Sequence, residues 1–260
     1  MRRFIAATAV LFVALPAMAA AQGAKPTLPT VAQVMDGYVA AMGGKTAIEA
    51  IRSTHSKGTL RIDPMGLTGS FESYEKSGKI LSVQNITSIG EVRQGYDGAV
   101  AWSSDPMNGV RTLDGAELAL LKRGTGIASP LKWRDQYTGR VLGQRLVGGR
   151  KVWAVQLTPK QGKPITQYHD TRDYMLVGLD MVVESAMATI PAKLVFSDYR
   201  SVGGAKIPFT VQTKVGGMAD LTMKVTDYTV NADVDDSVFA RPAEKPLAPA
   251  GGGAPAALGK

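Results

Sequence analysis

The chain has 260 residues, no cysteine and a formal net charge of +8, two units of which lie on Arg2 and Arg3. The missing cysteine excludes disulfides, thiolate metal sites and a cysteine nucleophile together. Basic residues are scattered and are not interleaved with aromatics on one stretch, which argues against a nucleic-acid partner.

Arg2 and Arg3 precede an apolar run from Phe4 to Leu15, then Pro16 and Ala17-Met18-Ala19. A charged start, a short apolar run and small residues at a cleavage point make a secretory signal, expected over residues 1–19. Ala19-Ala20-Ala21 offers a competing cleavage point. The run is too short for a lasting anchor, and no later stretch approaches the roughly 20 apolar residues of a spanning helix. Residues 20–29 read as a linker, 30–241 as one domain, and 242–260 as a Pro/Ala/Gly tail that buries too little apolar surface to order itself. With no cysteine to carry a lipid, the expectation is a periplasmic monomer that is not lipid-anchored.

Thr30 and Gln33 have capping-box spacing, and Val31, Val34, Met35, Tyr38, Val39 and Met42 recur at helical spacing behind them. Gly43 and Gly44 stop that helix, and a short second one follows with Ala47, Ile48 and Ile51 on one side. The period then changes to two. Strands are predicted at Ser56 to Ile62, Thr68 to Lys76, Ile80 to Ile86, Val92 to Tyr96 and Val100 to Ser103, separated by turn residues. A short helix is predicted over Asp114 to Leu121, then a long loop or lid from Gly124 to Tyr137 containing Trp133. Seven more strands follow: Arg140 to Leu146, Lys151 to Thr158, Ile165 to Asp170, Leu176 to Val183, Ala192 to Ser201, Lys206 to Lys214 and Leu221 to Val230.

In the later strands one alternating set is apolar: Trp153, Val155 and Leu157, then Leu179, Met181 and Val183, Leu194 and Phe196, Ile207, Phe209 and Val211, and Leu221, Met223 and Val225. The other set carries Gln156, Asp180, Lys193 and Lys224, so each strand is half-buried. The fold class is α+β, mainly β. A twisted sheet of about a dozen strands curls, and three short helices can cover one mouth of it without filling it.

Four pieces in order resemble the LolA/LolB-like superfamily of periplasmic outer-membrane lipoprotein-sorting proteins. They are Tyr38-Val39-Ala40-Ala41-Met42-Gly43-Gly44 with Ile48, Ile51 and Gly58; Gly95-Tyr96-Asp97-Gly98 with Trp102; Asp198-Tyr199-Arg200 with Ile207-Pro208-Phe209; and Asp235-Asp236-Ser237-Val238-Phe239. The resemblance implies an unclosed antiparallel β-barrel of about eleven strands, with helices as a lid over a hydrophobic cavity for acyl chains. It also implies no cofactor and no catalysis, and a chain more like the soluble carrier than the anchored receptor.

The candidate ligand-binding residues are Trp102, Trp153, Val155, Met181, Phe196, Phe209, Met223, Met35 and Met42, because aromatics offer contact area and methionines loose, exchangeable packing. Core packing is the competing reading of each. Arg61 and Arg93 could meet a headgroup or a partner, or simply face solvent. Gly44-Lys45-Thr46 imitates the end of a phosphate loop, but its leading glycine would fall at Val39 inside a helix. His55 and His169 have no metalloprotease spacing, and no G-x-S-x-G elbow is present. Asn231, Asp233, Asp235 and Asp236 lack the glycine and closing glutamate of a calcium loop. No metal and no cofactor are expected. The partners expected are a lipid or acylated protein, an envelope protein and transient membrane contact. Two other readings are an envelope-sensing interaction module and, third, an enzyme using His169.

Overall fold

The computed structural model describes residues 27–123, 126–184 and 189–243. The signal expected at 1–19, most of the linker and nearly all of the tail lie outside the described residues. Among the described residues no helix is long and apolar enough to cross a membrane.

The chain opens with α1 (Val31–Ala41) and α2 (Gly44–Glu49). Thr30 and Gln33 close the capping box reciprocally, at 3.1 Å and 2.7 Å. Gly43 takes φ +117° at the break, and a Cβ there would collide with the Gly204 carbonyl. That close approach lets the Met42 carbonyl accept a 2.8 Å hydrogen bond from the Lys206 amide, which pins the helical hairpin to the sheet.

Thirteen antiparallel strands form one sheet, ordered β6-β5-β4-β3-β2-β1-β13-β12-β11-β10-β9-β8-β7. The first arm holds β1 (Ser53–Asp63), β2 (Leu67–Lys76), β3 (Lys79–Ile86), β4 (Gly90–Tyr96), β5 (Ala101–Asp105) and β6 (Gly109–Leu113). The second holds β7 (Tyr137–Val147), β8 (Arg150–Pro159), β9 (Ile165–Asp170), β10 (Leu176–Glu184), β11 (Thr189–Val202), β12 (Ala205–Val215) and β13 (Ala219–Val230). The two arms join where β1 pairs β13. The free edges β6 and β7 do not pair, so the sheet curls without closing. Between them run α3 (Gly115–Arg123), a 3-10 turn (Ser129–Lys132) and α4 (Trp133–Gln136).

The sheet thus has thirteen strands against the eleven that the resemblance implies and the twelve that the alternation marks. The strand missed is β6, whose Gly109-Val110-Arg111-Thr112-Leu113 has no steady apolar alternation and sits on the edge. The expected lid region contains two short helical turns rather than a plain loop.

Each arm has its own core. In the second arm Val34, Met35, Tyr38 and Met42 of α1 and its end pack with Ile48, Val155, Leu157 and Leu176. In the first arm Leu81, Val83 and Trp102 pack with Val234 and Phe239 from the segment after β13. Register places that second cluster on the outer face: Trp102 pairs with Gly95, Gly95 with Leu81, and Leu81 with Tyr74, a residue out of phase with the inward-facing Phe71 and Glu75. Asp235 caps the closing 3-10 turn by accepting from the Ser237 amide at 2.7 Å, while Asp236 pairs with Lys76 and Lys79. The aspartates after Asn231 therefore set a docking turn, and Phe239 at its end is fully buried.

Candidate ligand cavity

A cavity of about 410 Å³ lies between α1, the strap 126–137 and the inner face of the sheet. Met35, Tyr38 and Met42 contribute from α1 and its end, and Ile127, Pro130 and Trp133 from the strap. Leu157, Ile165, Leu176, Leu179, Phe196 and Ile207 form much of its sheet wall. At roughly 30 Å³ per heavy atom, the share of a water molecule in the liquid, it holds about fourteen heavy atoms. That is the size of one medium acyl chain.

Three of the expected residues, Met35, Met42 and Phe196, line this space. The structure puts the others elsewhere. Trp102 is a correction: it is 1 % exposed on the outer face, and its Nε1–H donates to the Phe239 carbonyl at 3.1 Å. Its indole closes the first arm's outer core instead of facing the cavity. Val155 is fully buried on the inner face under α1, outside the cavity lining, and Trp153 packs in the same cluster. Phe209 packs with Ile207 and Tyr228, under the Arg200 guanidinium at 4.4 Å from its ring. Met223 belongs to the cluster of Leu60, Phe71 and Ile86. Met181 is a partly buried strand residue that does not touch the cavity.

His169 is fully buried on β9, with its ring edge-on to Tyr38 at 5.0 Å. Nδ1–H donates to the Tyr174 carbonyl at 3.0 Å, and Nε2 lies 3.1 Å from Gln167 Oε1. Burial pushes its pKa down to about 4, against a smaller opposing effect of the Tyr174 bond. The buried imidazole packs against Gln167, which lines the cavity. Its neighbour Asp170 is 1 % exposed and is held by Arg172 at 3.2 Å. His55 bonds Glu72 at 2.6 Å and stacks on Tyr74 at 4.2 Å, so both histidines serve packing networks. Arg61 is held by Asp63 on the same strand at 2.8 Å, and Arg93 lies 3.7 Å from Glu91.

Sequence reasoning missed Glu75. It stands on β2 in phase with the inward-facing Leu67 and Phe71, and its carboxyl reaches the cavity wall. Gly126 takes φ +95°, a conformation strained for any L side chain, and a Cβ there would also meet that carboxyl. Burial raises its pKa, and the charge of Lys132 opposes the shift. Tyr228 beside it is raised as well, mainly by burial, with a Thr54 hydrogen bond acting the other way. A carboxyl in phase with an apolar alternation was the available signal.

No family model matches the chain, and no curated protein matches it. Solved structures do. A DUF1329 family protein from Desulfovibrio piger matches with a TM-score of 0.56 at 18% identity, covering 81% of this chain and 97% of that one. A Vibrio parahaemolyticus domain described as an outer membrane lipoprotein-sorting protein gives 0.52 at 12% identity, over 79% and 95%. A LolA superfamily protein from Nitrosomonas europaea gives 0.53 at 10% identity, over 78% and 97%. The fold of this chain is LolA-like.

Proposed function

We propose that this chain is an exported, periplasmic, non-catalytic carrier or binding protein for a lipid or a lipid-modified protein, holding an acyl chain in the cavity beneath α1 and the strap. The observation that carries this reading is an apolar space of about 410 Å³ inside a LolA-like sheet. The signal layout at the N-terminus supports export. Ten buried methylenes would yield roughly 8 kcal/mol before the costs of association, enough to hold a chain and still release it. Met35 and Met42 in the wall suit such exchange, since a flexible thioether repacks around different shapes.

Native mass spectrometry of the protein purified from an envelope fraction tests this reading. The expected result is a bound amphiphile, and uptake of the neutral fluorophore N-phenyl-1-naphthylamine once it is stripped. An empty protein that leaves the fluorophore in water would sink it.

A further inference from the structure

The inner face of the sheet extends beyond the cavity wall. Strand register carries it onto the first arm. Tyr228, a cavity residue, pairs with Ser56, Ser56 with Ser73, Ser73 with Ser82, Ser82 with Gln94 and Gln94 with Ser103. Paired residues share a face, so five uncharged polar side chains run in a row from the cavity across β1–β5. The row ends at Arg111, whose guanidinium is held by Glu117 in two bonds of 2.8 Å and 2.9 Å. Glu75 belongs to the neighbouring row, between Thr54 and Ile80, and marks the junction of stripe and cavity.

Among the described residues two polar atoms of these elements are buried without a partner: Ser103 Oγ at the far end of the stripe, outside the cavity lining, and the Nε1–H of Trp133 in the strap. Each such atom costs free energy until something bonds it. Among the residues lining the cavity Glu75 is the single acid, and none is lysine, arginine or histidine. Among the described residues Glu75 accepts no hydrogen bond. A phosphate or carboxylate brought here would meet a carboxyl in a poorly solvated space, and the nearby cation, Lys132, stands outside the lining and already acts on Glu75. A hydroxyl suits the same place, because it accepts from an N–H and donates to a carboxyl or serine oxygen.

We infer that the cavity and the serine stripe form one composite site for a single-chain amphiphile with an uncharged, hydroxyl-bearing head, and that Glu75 at their junction rejects anionic heads. This rests on the carrier reading and adds the chemistry of the cargo.

The test compares 1-lauroylglycerol with 1-lauroylglycerol 3-phosphate, which differ only in the phosphate. Each displaces N-phenyl-1-naphthylamine from the whole protein at neutral pH, below its micellar concentration. The neutral ligand should bind at least about tenfold tighter, and Glu75→Gln, isosteric and without charge, should shrink the ratio to about threefold or less by strengthening the phosphate ligand. Phosphate binding as tight as the neutral form, or a ratio unmoved by Glu75→Gln, overturns the head selection alone. Failure of the fluorophore itself to bind overturns the cavity and the head selection together.

Discussion

The two arms of the sheet place their cores differently. In the second arm α1 covers the inner face over Val155, Leu157 and Leu176, and the space left between helix and sheet is the cavity. In the first arm a large core lies outside, where Phe239 and Val234 close over Trp102, Leu81 and Val83. An arm stabilised from outside can keep a polar stripe within, since its stability does not require that row to be apolar. The difference separates what holds the protein together from what meets a ligand. Phe239→Ala should therefore cost about 3–5 kcal/mol of stability, the range for emptying a fully buried phenyl site. Chemical denaturation would read the loss, while fluorophore affinity measured well below the unfolding midpoint should hold. If affinity falls in step with stability, the arms are one unit and the separation is wrong.

Acid should act on the second arm. His169 has a pKa of about 4 when folded, against 6.5 in the unfolded chain. Between those values the unfolded state binds more protons, so stability is full above pH 6.5 and is lost as pH falls toward 4. From pH 7 to pH 4.5 the loss from this one group is about 2–3 kcal/mol. Asp170, lowered chiefly by its hydrogen bond to Arg172, adds its own loss only below about pH 4, and Glu75, raised by burial, acts in the opposite sense above it, so the difference between the native protein and a histidine variant isolates the imidazole. Denaturation midpoints of the native protein and of His169→Gln at the two pH values would show it, with the variant flatter. Equal slopes would mean that the imidazole gains its proton without disturbing the contact of α1 with the sheet.

The same contrast explains what could be read from sequence. Alternation located twelve of the thirteen strands and grouped Leu157, Leu179, Phe196 and Ile207 on one face, because a half-buried strand must repeat every two residues. Period two does not say which face is inside. Trp102 looked like a cavity aromatic for that reason, and only the return of Phe239 from the far end of the chain places it outside. The serine stripe was invisible for a related reason: Ser56, Ser73, Ser82 and Ser103 lie on four strands, and nothing local marks them as neighbours. Glu75 could have been noticed as a charge in the apolar phase of β2. The capping box of α1 was legible in full, since Thr30 and Gln33 settle it within three residues.

The smallest effect expected comes from the strap. Arg134 of α4 donates to Asp36 of α1 at 2.8 Å, and its guanidinium lies 4.6 Å from the Trp133 ring in the cavity wall. Both partners are more than half exposed, so the pair adds little to global stability and Arg134→Ala should leave the melting temperature unchanged within error. It nevertheless ties the strap to the helix across the mouth of the space it covers. Releasing that tie should quicken dissociation of a bound fluorophore severalfold with little change in its association rate, as stopped-flow dilution would record. High salt screens an exposed pair, so at 1 M sodium chloride the native protein should approach the variant's dissociation rate. A dissociation rate indifferent to both the substitution and the salt would mean that ligand leaves past the open sheet edges, and that the strap is a fixed wall of the second arm.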